Sequence, residues 1–461
     1  MKSHETMILE MKKLLEQRDR LTAIKGMNKD TLPRQAFSAA VARLPGNFAV
    51  PVSYNTAHSY RTDNPDPIMM NIPQNIDSLR ETNPDVYIRH IAYLINSNSK
   101  NDFDRIKKAH DMVALVLSYD AENYWAKTIP DQSYQAVLKT RLSVCAGYAN
   151  VFKRLCDELK IPCIVVSGYA RGVGVSPTAP DKPNESNHAW NIVTIEGANY
   201  FVECTWDSGY MDEKVFKKNY STDYLFIKPK HLIHSHFPEN TYHQLLAVPV
   251  SAAKFGVLPP LTPKFFNIVD NPSINLRKKI HVSNKLDFEY TIKKGYRLSY
   301  TIKEMKNGSE IELKNRVMVQ QRGSRHIALF SLPSEGEYKI NIYCWEGDAE
   351  KSHGCGEFII AATSGCSTGF PKTSTTVKNL EIKSPIESPL RSKKSYSFRI
   401  KVDNKDKAAI IHGDTFILLT KRSDGSFSKE YVIPSGIDEI SLGVADAGKN
   451  TYRIIAEYKV I

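Results

Sequence analysis

The residues most capable of chemistry in this sequence lie in three short segments. Cys145 lies in the segment 144–149, His188 opens the segment 188–191, and Glu203 lies in the segment 202–206. A cysteine nucleophile needs a thiol to attack a carbonyl carbon, a base to take the thiol proton, and an acid to orient that base. The three segments therefore predict a cysteine-dependent acyl-transfer centre.

Cys145 is distinguished from the other cysteines by its place at the start of a helix. Apolar residues recur at helical spacing from Cys145 through Cys156 to Leu159. The free N–H groups and the positive dipole end of a helix N-terminus stabilise a thiolate there. Cys156 is in mid-helix and has the character of a buried apolar residue. The small residues Ala146 and Gly147 are expected to leave room for a substrate carbonyl.

His188 is expected at the start of a strand, where Trp190 shares its face and shields the imidazole from water. Two strands, 189–195 and 200–205, are predicted to form a hairpin around residues 196–199. A tight turn at Gly197 and Ala198 would place Asp207 opposite His188, whereas a longer loop or a bulge would bring Glu203 there. The spacing alone leaves both acids open.

The elements around these segments indicate an α+β domain followed by β-rich domains. Apolar residues at helical spacing predict helices over 84–95 and 103–117, and the run 161–166 predicts a buried strand. A proline-rich stretch near 249–263 then precedes strands and turns that continue to the end of the chain. We predict an N-terminal extension at 1–75, an α+β core at 76–248, and two β-sandwich domains at 264–365 and 375–461.

The composition excludes several classes of protein. The sequence has 41% hydrophobic and 24% charged residues, so an ordinary globular protein is expected. Its formal net charge of +12 comes from lysines and arginines interleaved with acidic residues, so no nucleic-acid partner is expected. Apolar runs are too short for a membrane span, which needs about 20 residues. Seven cysteines without a CxxC pair and the lack of a visible signal peptide favour reduced thiols in the cytoplasm.

A run of histidines near residue 235 raises the question of zinc. The histidines are His231, His234, His236 and His243. Cysteines or carboxylates at ligand spacing are missing from the run, so no metal site is predicted there.

Several motifs together resemble one protein family. The segment 83–246 resembles the transglutaminase-like superfamily, which shares its core with papain-like cysteine proteases, and within it the kyphoscoliosis peptidase branch. The residues that carry the resemblance are Lys108–His110, Thr140–Tyr148, Ser167–Gly172, Asn187–Asn191, Val202–Trp206, His231–Pro238 and Gln244–Leu246. The resemblance implies a papain/transglutaminase-like core followed by immunoglobulin-like β-sandwich domains, and it implies no cofactor.

The resemblance also implies roles for single residues. Cys145 takes the nucleophile position and His188 the base position. The family usually has an aspartate where this sequence has Glu203, and this spacing favours Glu203 over Asp207 as the third member. An oxyanion donor besides the Cys145 backbone N–H is expected, with Gln132, Gln135 and Trp125 as candidates.

Two functions follow as hypotheses. The first is acyl transfer on protein substrates, as a peptidase or a transglutaminase-type enzyme. The second is a scaffold with weak or no activity that binds protein or cytoskeletal partners, because a glutamate replaces the usual aspartate.

Overall fold

The computed structural model describes residues 54–172, 180–270, 276–347, 352–374, 379–449 and 451–461. Residues 1–53, most of the segment predicted to be an extension, lie outside the described residues. Residues 54–75 pack on the core, since Tyr54, Ala57 and Met69 are buried in its main apolar cluster. No helix of the described residues combines the length and apolar character needed to cross a bilayer.

The core begins with a layer of helices. In chain order these are α1 (Tyr54–Ser59), α2 (Pro67–Met70), α3 (Gln74–Asp77), α4 (Leu79–Thr82), α5 (Pro84–Ser97), α6 (Asp102–Val116), α7 (Ala121–Ala126), α8 (Tyr134–Thr140) and α9 (Cys145–Leu159). The predicted helices α5, α6 and α9 are present. Asn83 caps α5 by accepting the Val86 N–H, and Pro84 supplies the fixed φ that suits a first helical residue.

A four-stranded antiparallel sheet packs against α9. Its strands are β3 (Cys163–Ala170), β4 (His188–Ile195), β5 (Ala198–Val202) and β8 (His236–Pro238). Their order in the sheet is β5-β4-β3-β8. The predicted strand at 161–166 is β3, which continues to Ala170 because Gly168 pairs with both His188 and Pro238. A Cβ atom on Gly168 would lie 2.4 Å from the Phe237 carbonyl oxygen, so the close approach of the strands requires glycine.

The predicted hairpin is formed by β4 and β5, with its turn at Glu196 and Gly197. Both residues have positive φ, 51° and 77°, as a two-residue type I′ turn requires. Ile195 pairs with Ala198 and Asn191 pairs with Val202. The second strand was predicted to reach residue 205, which is wrong. It ends at Val202, because the Glu203 side chain accepts backbone hydrogen bonds that start helix α10 (Cys204–Ser208).

Short elements complete the core and link it to the β domains. They are β1 (Ser118–Tyr119), β2 (Leu142–Ser143), β6 (Gly209–Asp212), β7 (Val215–Lys218), α11 (Pro229–Leu232), a 3₁₀ turn (Thr241–Gln244), α12 (Ala252–Val257) and α13 (Pro263–Ile268). The proline-rich stretch that was predicted to be a linker therefore contains α12. Phe255 in α12 is buried against Tyr169 and Phe237 of the core.

Two β-sandwich domains follow, as predicted. The sheets of the first have the orders β10-β17-β16-β12-β13 and β14-β15-β11-β9, and those of the second have the orders β18-β26-β25-β21-β22 and β19-β20-β24-β23. Their strands are β9 (Val269–Asp270), β10 (Lys279–Val282), β11 (Lys285–Ile292), β12 (Tyr296–Lys306), β13 (Ser309–Glu312), β14 (Val317–Arg322), β15 (Arg325–Ser331), β16 (Gly336–Glu346), β17 (His353–Ala362), β18 (Lys372–Thr373), β19 (Leu380–Ser384), β20 (Ser395–Val402), β21 (Lys407–His412), β22 (Thr415–Leu418), β23 (Thr420–Lys421), β24 (Ser426–Val432), β25 (Glu439–Ala445) and β26 (Arg453–Lys459). Each pair of sheets encloses its own apolar core.

Candidate active site

Cys145 is the first residue of α9. The preceding residue, Val144, is extended and provides no side-chain cap, so the first N–H groups of the helix lack a capping acceptor from that residue. Gln132 fixes the approach to the helix, since its Oε1 accepts hydrogen bonds from the Val144 N–H and the Ser143 hydroxyl, both at 3.0 Å. The backbone thus holds Cys145 where the helix dipole favours a thiolate.

The space beside Gly147 is filled by residues that precede α9 in the chain. A Cβ atom on Gly147 would lie 2.1 Å from Ser143 Oγ and 2.8 Å from Gln132 Oε1. The expectation that Gly147 leaves room for a substrate carbonyl is therefore wrong, because the Gln132–Ser143 hydrogen bond occupies that space.

The candidate oxyanion donors lie in different surroundings. Gln132 is the one that adjoins the start of α9, and its Nε2 donates to the Pro130 carbonyl at 3.0 Å. Gln135 is exposed on α8. Trp125 packs edge-on against Tyr124, and the Lys214 ammonium lies over its ring.

His188, the first residue of β4, interacts with Cys145, the first residue of α9. The Cys145 thiol interacts with the His188 imidazole and accepts a hydrogen bond from the Ala189 N–H. Burial raises the pKa of Cys145, but the His188 charge and these two hydrogen bonds lower it more, so the thiol pKa falls below its usual 9.0. Burial lowers the pKa of His188, whereas Cys145 and Glu203 raise it, with a net value of about 10. The charged forms of the two side chains therefore favour each other.

Glu203 lies behind the imidazole. Its Oε1 is 3.6 Å from His188 Nε2, just beyond hydrogen-bond length, and the side chain is fully buried. The same carboxylate accepts the N–H groups of Thr205 at 2.8 Å and of Trp206 at 2.6 Å. Because Nε2 faces Glu203, Nδ1 is the imidazole nitrogen that is available to the Cys145 thiol.

Asp207 faces a different histidine. Its carboxylate accepts from His110 Nε2 at 3.0 Å, from the Ser221 hydroxyl at 2.5 Å, and from the Tyr224 N–H. His110 also bonds Asp111 at 3.1 Å, and the His110 ring and both carboxylates are fully buried. Burial lowers the pKa of His110, but the two carboxylates raise it to about 9. Asp207 thus belongs to a buried charge network on α6 and not to the surroundings of His188.

Two tryptophans and one histidine enclose the imidazole. The His188 ring lies 6.0 Å from Trp190, 5.5 Å from Trp206 and 5.2 Å from His236, between ring centroids. Trp190 was predicted to shield His188. Trp206 and His236 were not predicted as neighbours, although both lie in motifs that the sequence singles out. Exclusion of water by these rings strengthens the electrostatic interactions of His188.

The histidine run does not converge on one point. The His231 ring stacks on Phe266 at 4.3 Å, and His234 Nδ1 bonds the Pro259 carbonyl at 2.9 Å. His236 instead joins His188 and Glu203, and within the described ranges these three form a group whose ligand atoms all lie within 4.8 Å of one another. These are the side chains that could hold a metal ion.

A cleft opens beside Trp206, one of the rings that enclose the imidazole. It has a volume of about 400 Å³ and lies between the core and the first β-sandwich domain. Its core wall includes Trp206, Tyr224 and Arg171, and its other wall includes Asn341 and Tyr343 of strand β16.

Comparison with known proteins identifies two domains. Residues 89–204 match the transglutaminase-like superfamily, and residues 253–371 match the KY-like, immunoglobulin-like domain. These matches confirm the resemblance that the motifs carried.

Curated relatives match the core region. Kyphoscoliosis peptidase of Mus musculus is 32% identical over 157 residues, which cover 34% of this chain and 24% of that protein. Hillarin of Drosophila melanogaster is 27% identical over 26% of this chain and 16% of that protein. Cytokinesis protein 3 of Schizosaccharomyces pombe is 26% identical over 28% of this chain and 14% of that protein. The matched part spans a quarter or less of the length of each relative.

Proposed function

We propose that this chain, which carries a transglutaminase-like domain and a KY-like immunoglobulin-like domain, is a cysteine-dependent acyl-transfer enzyme that acts on proteins. The observation that carries the proposal is the contact of Cys145, at the start of α9, with His188, whose Nε2 faces the Glu203 carboxylate. In this proposal Cys145 is the nucleophile, His188 is the base and acid, and Glu203 orients the imidazole.

The proposed reaction has two steps. The Cys145 thiolate attacks an amide carbonyl carbon, and a C–S bond forms. The C–N bond then breaks as the His188 imidazolium donates its Nδ1 proton to the leaving amine, which leaves a thioester on Cys145. Water completes hydrolysis of a peptide bond or of a side-chain amide, with His188 as base. A lysine amine in place of water completes a cross-link.

Two features support a protein as the substrate. The cleft beside Trp206 is large enough for an extended peptide segment, and both of its walls offer polar side chains. The β-sandwich domain that forms one wall gives a second surface for recognition. The name of kyphoscoliosis peptidase also agrees with action on proteins.

A scaffold without turnover is the second candidate. The 3.6 Å separation of His188 Nε2 and Glu203 Oε1 favours it, because an acid beyond hydrogen-bond length orients an imidazole less firmly. In this case the chain would bind protein partners in the cytoplasm, and the name of cytokinesis protein 3 is consistent with a cytoskeletal partner.

One experiment tests acyl transfer. The full chain and its Cys145→Ala variant are incubated with a cell lysate and a tagged primary amine, and the products are identified by mass spectrometry. Tagged proteins that depend on Cys145 indicate transamidation, and new termini or deamidated side chains indicate hydrolysis. Absence of all three products with the wild type would refute the proposed acyl-transfer activity. Partner capture that is equal for both proteins would then support the scaffold.

A further inference from the structure

Three potential metal ligands meet on the side of His188 that faces away from Cys145. They are one ring nitrogen of His188, one ring nitrogen of His236 and a carboxylate oxygen of Glu203, all within 4.8 Å of one another. Tetrahedral zinc binds nitrogen and oxygen at about 2.0–2.1 Å, which places its ligand atoms about 3.3 Å apart. The His188–Glu203 separation of 3.6 Å is already close to that value. The other two separations are at most 4.8 Å, so coordination requires them to shorten by up to about 1.5 Å.

Both imidazole nitrogens are buried and lack a hydrogen-bond partner. His236 is 1% exposed and the His188 side chain 8%, yet Nε2 of each is unpaired. A buried polar atom without a partner is energetically unfavourable. Two such atoms that face one carboxylate are the pattern expected where an ion completes the bonding.

The hydrogen bonds of His236 fix which of its nitrogens is free to bind. His236 Nδ1 is hydrogen-bonded to the Ser235 hydroxyl at 2.8 Å, and when that hydroxyl donates to the Leu232 carbonyl at 3.2 Å it accepts from His236 Nδ1–H. Nε2 then carries a lone pair and no proton. A metal-binding histidine usually has this arrangement, with its other ring nitrogen held by a hydrogen bond.

Glu203 has lone pairs to spare for a cation. Each of its oxygens accepts one backbone N–H, and a carboxylate oxygen has a second lone pair. Two histidines and one glutamate also form a known ligand set of catalytic zinc sites, in which water takes the fourth position.

We propose that His188, Glu203 and His236 bind one divalent transition-metal ion such as Zn²⁺, and that occupancy blocks acyl transfer. Binding displaces the proton of His188 Nε2 to solvent, and the imidazole keeps its proton on Nδ1. Donation of that remaining proton to a leaving amine would produce an imidazolate, so the metal-bound ring is too weak an acid. The inhibitory part rests on the proposed function, whereas the binding part does not.

The binding test uses the full chain and Zn²⁺ in competition with a chromophoric chelator. In His236→Asn, the asparagine amide can keep the bond to Ser235 while the Nε2 ligand is lost. We expect one ion per chain in the wild type and an affinity at least about 100-fold weaker in His236→Asn, since loss of an outer-shell partner alone costs 10–100-fold. His243→Asn, a change at a half-buried histidine outside the group, should bind as the wild type does.

Cobalt distinguishes this site from zinc bound to the nucleophile. Co²⁺ in the proposed site should show tetrahedral ligand-field bands without a sulfur-to-cobalt charge-transfer band, and Cys145→Ser should bind equally well. A charge-transfer band, or loss of binding in Cys145→Ser, would overturn the proposal. Unchanged affinity in His236→Asn would do so as well.

The inhibition test is separate and uses the tagged-amine assay. Product is measured relative to the same protein without metal, and Zn²⁺ should lower this ratio in the wild type and in His243→Asn at concentrations that leave the ratio of His236→Asn unchanged. Equal suppression in all three would overturn the inhibitory part. If the wild type forms no product but binds Zn²⁺ through His236, the metal site stands and the proposed function fails.

Discussion

Replacement of Asp207 by asparagine should destabilise the core by about 3–5 kcal/mol near neutral pH, as expected when one member of a buried ion pair is removed. The raised pKa of His110 gives a free energy of similar magnitude. A pKa raised from 6.5 to about 9 corresponds to about 3 kcal/mol of preference for the charged imidazole. That preference comes from Asp111 and Asp207 together, and Asp207 also accepts from Ser221 and Tyr224.

The pH dependence of this loss has a definite sign. Because the His110 pKa is raised on folding, its stabilisation is complete below about pH 6.5 and is lost as the pH rises through about 9. The difference between wild type and Asp207→Asn should therefore be largest near pH 6–7 and should shrink by pH 10.

Urea unfolding followed by tryptophan fluorescence measures this loss. Three of the four tryptophans, Trp125, Trp190 and Trp206, lie in the core, so the signal reports mainly on that domain. Asp212→Asn, at an exposed position, is the matched control and should change stability by less than about 0.5 kcal/mol. A loss below about 1 kcal/mol in Asp207→Asn, together with slower alkylation of Cys145, would refute the reasoning and would assign Asp207 to His188.

Two further substitutions test the local structure. Glu203→Ala removes the acceptor for both N–H groups that start α10, and it should cost about 1–2 kcal/mol, clearly more than Glu203→Gln, which keeps an acceptor oxygen. Equal losses in urea unfolding would contradict the capping role. Gly168→Ala should cost about 2 kcal/mol or more, because its Cβ would contact the Phe237 carbonyl and the strands must separate. Gly256→Ala, in a helix with open space, should be neutral or stabilising by up to about 1 kcal/mol, and similar thermal shifts for the two would contradict this packing.

Local patterns in the sequence were sufficient to predict the helices and the hairpin of the core. The asparagine and proline before α5 and the apolar stripe of α9 are signals within one element, and the structure has both elements. The start of α9 at Cys145 follows from the same pattern. Such signals depend on neighbours close in the chain, which a single sequence contains.

Local patterns could not decide whether Glu203 or Asp207 lies near His188. A shift of one residue in the pairing of β4 with β5 changes which acid faces the imidazole. The turn falls at Glu196 and Gly197, one residue earlier than the tight turn that would favour Asp207. Asp207 lies in helix α10, beyond the end of the strand, and its carboxylate contacts His110. Neither the turn position nor this helix has a strong local signal.

The role of His236 depends on pairing between distant strands. Strand β8 joins the sheet beside β3, with His236 opposite Ala170, and this brings the ring to His188. The sequence shows only four histidines close together. Pairing across more than 60 residues is a property of the whole fold. The sequence pattern therefore grouped His236 with the nearby histidines and not with His188.

The pH profile of Cys145 alkylation tests the Cys145–His188 pair most directly. Iodoacetamide labelling of each cysteine peptide is followed by mass spectrometry in the wild type and in His188→Gln. The lowered thiol pKa predicts that wild-type Cys145 reacts rapidly below pH 9, much faster than buried Cys156, and that His188→Gln moves its midpoint upward. Partly exposed Cys366 should react alike in both proteins. A Cys145 profile that is unchanged by His188→Gln, or a rate no greater than that of Cys156, would contradict the account.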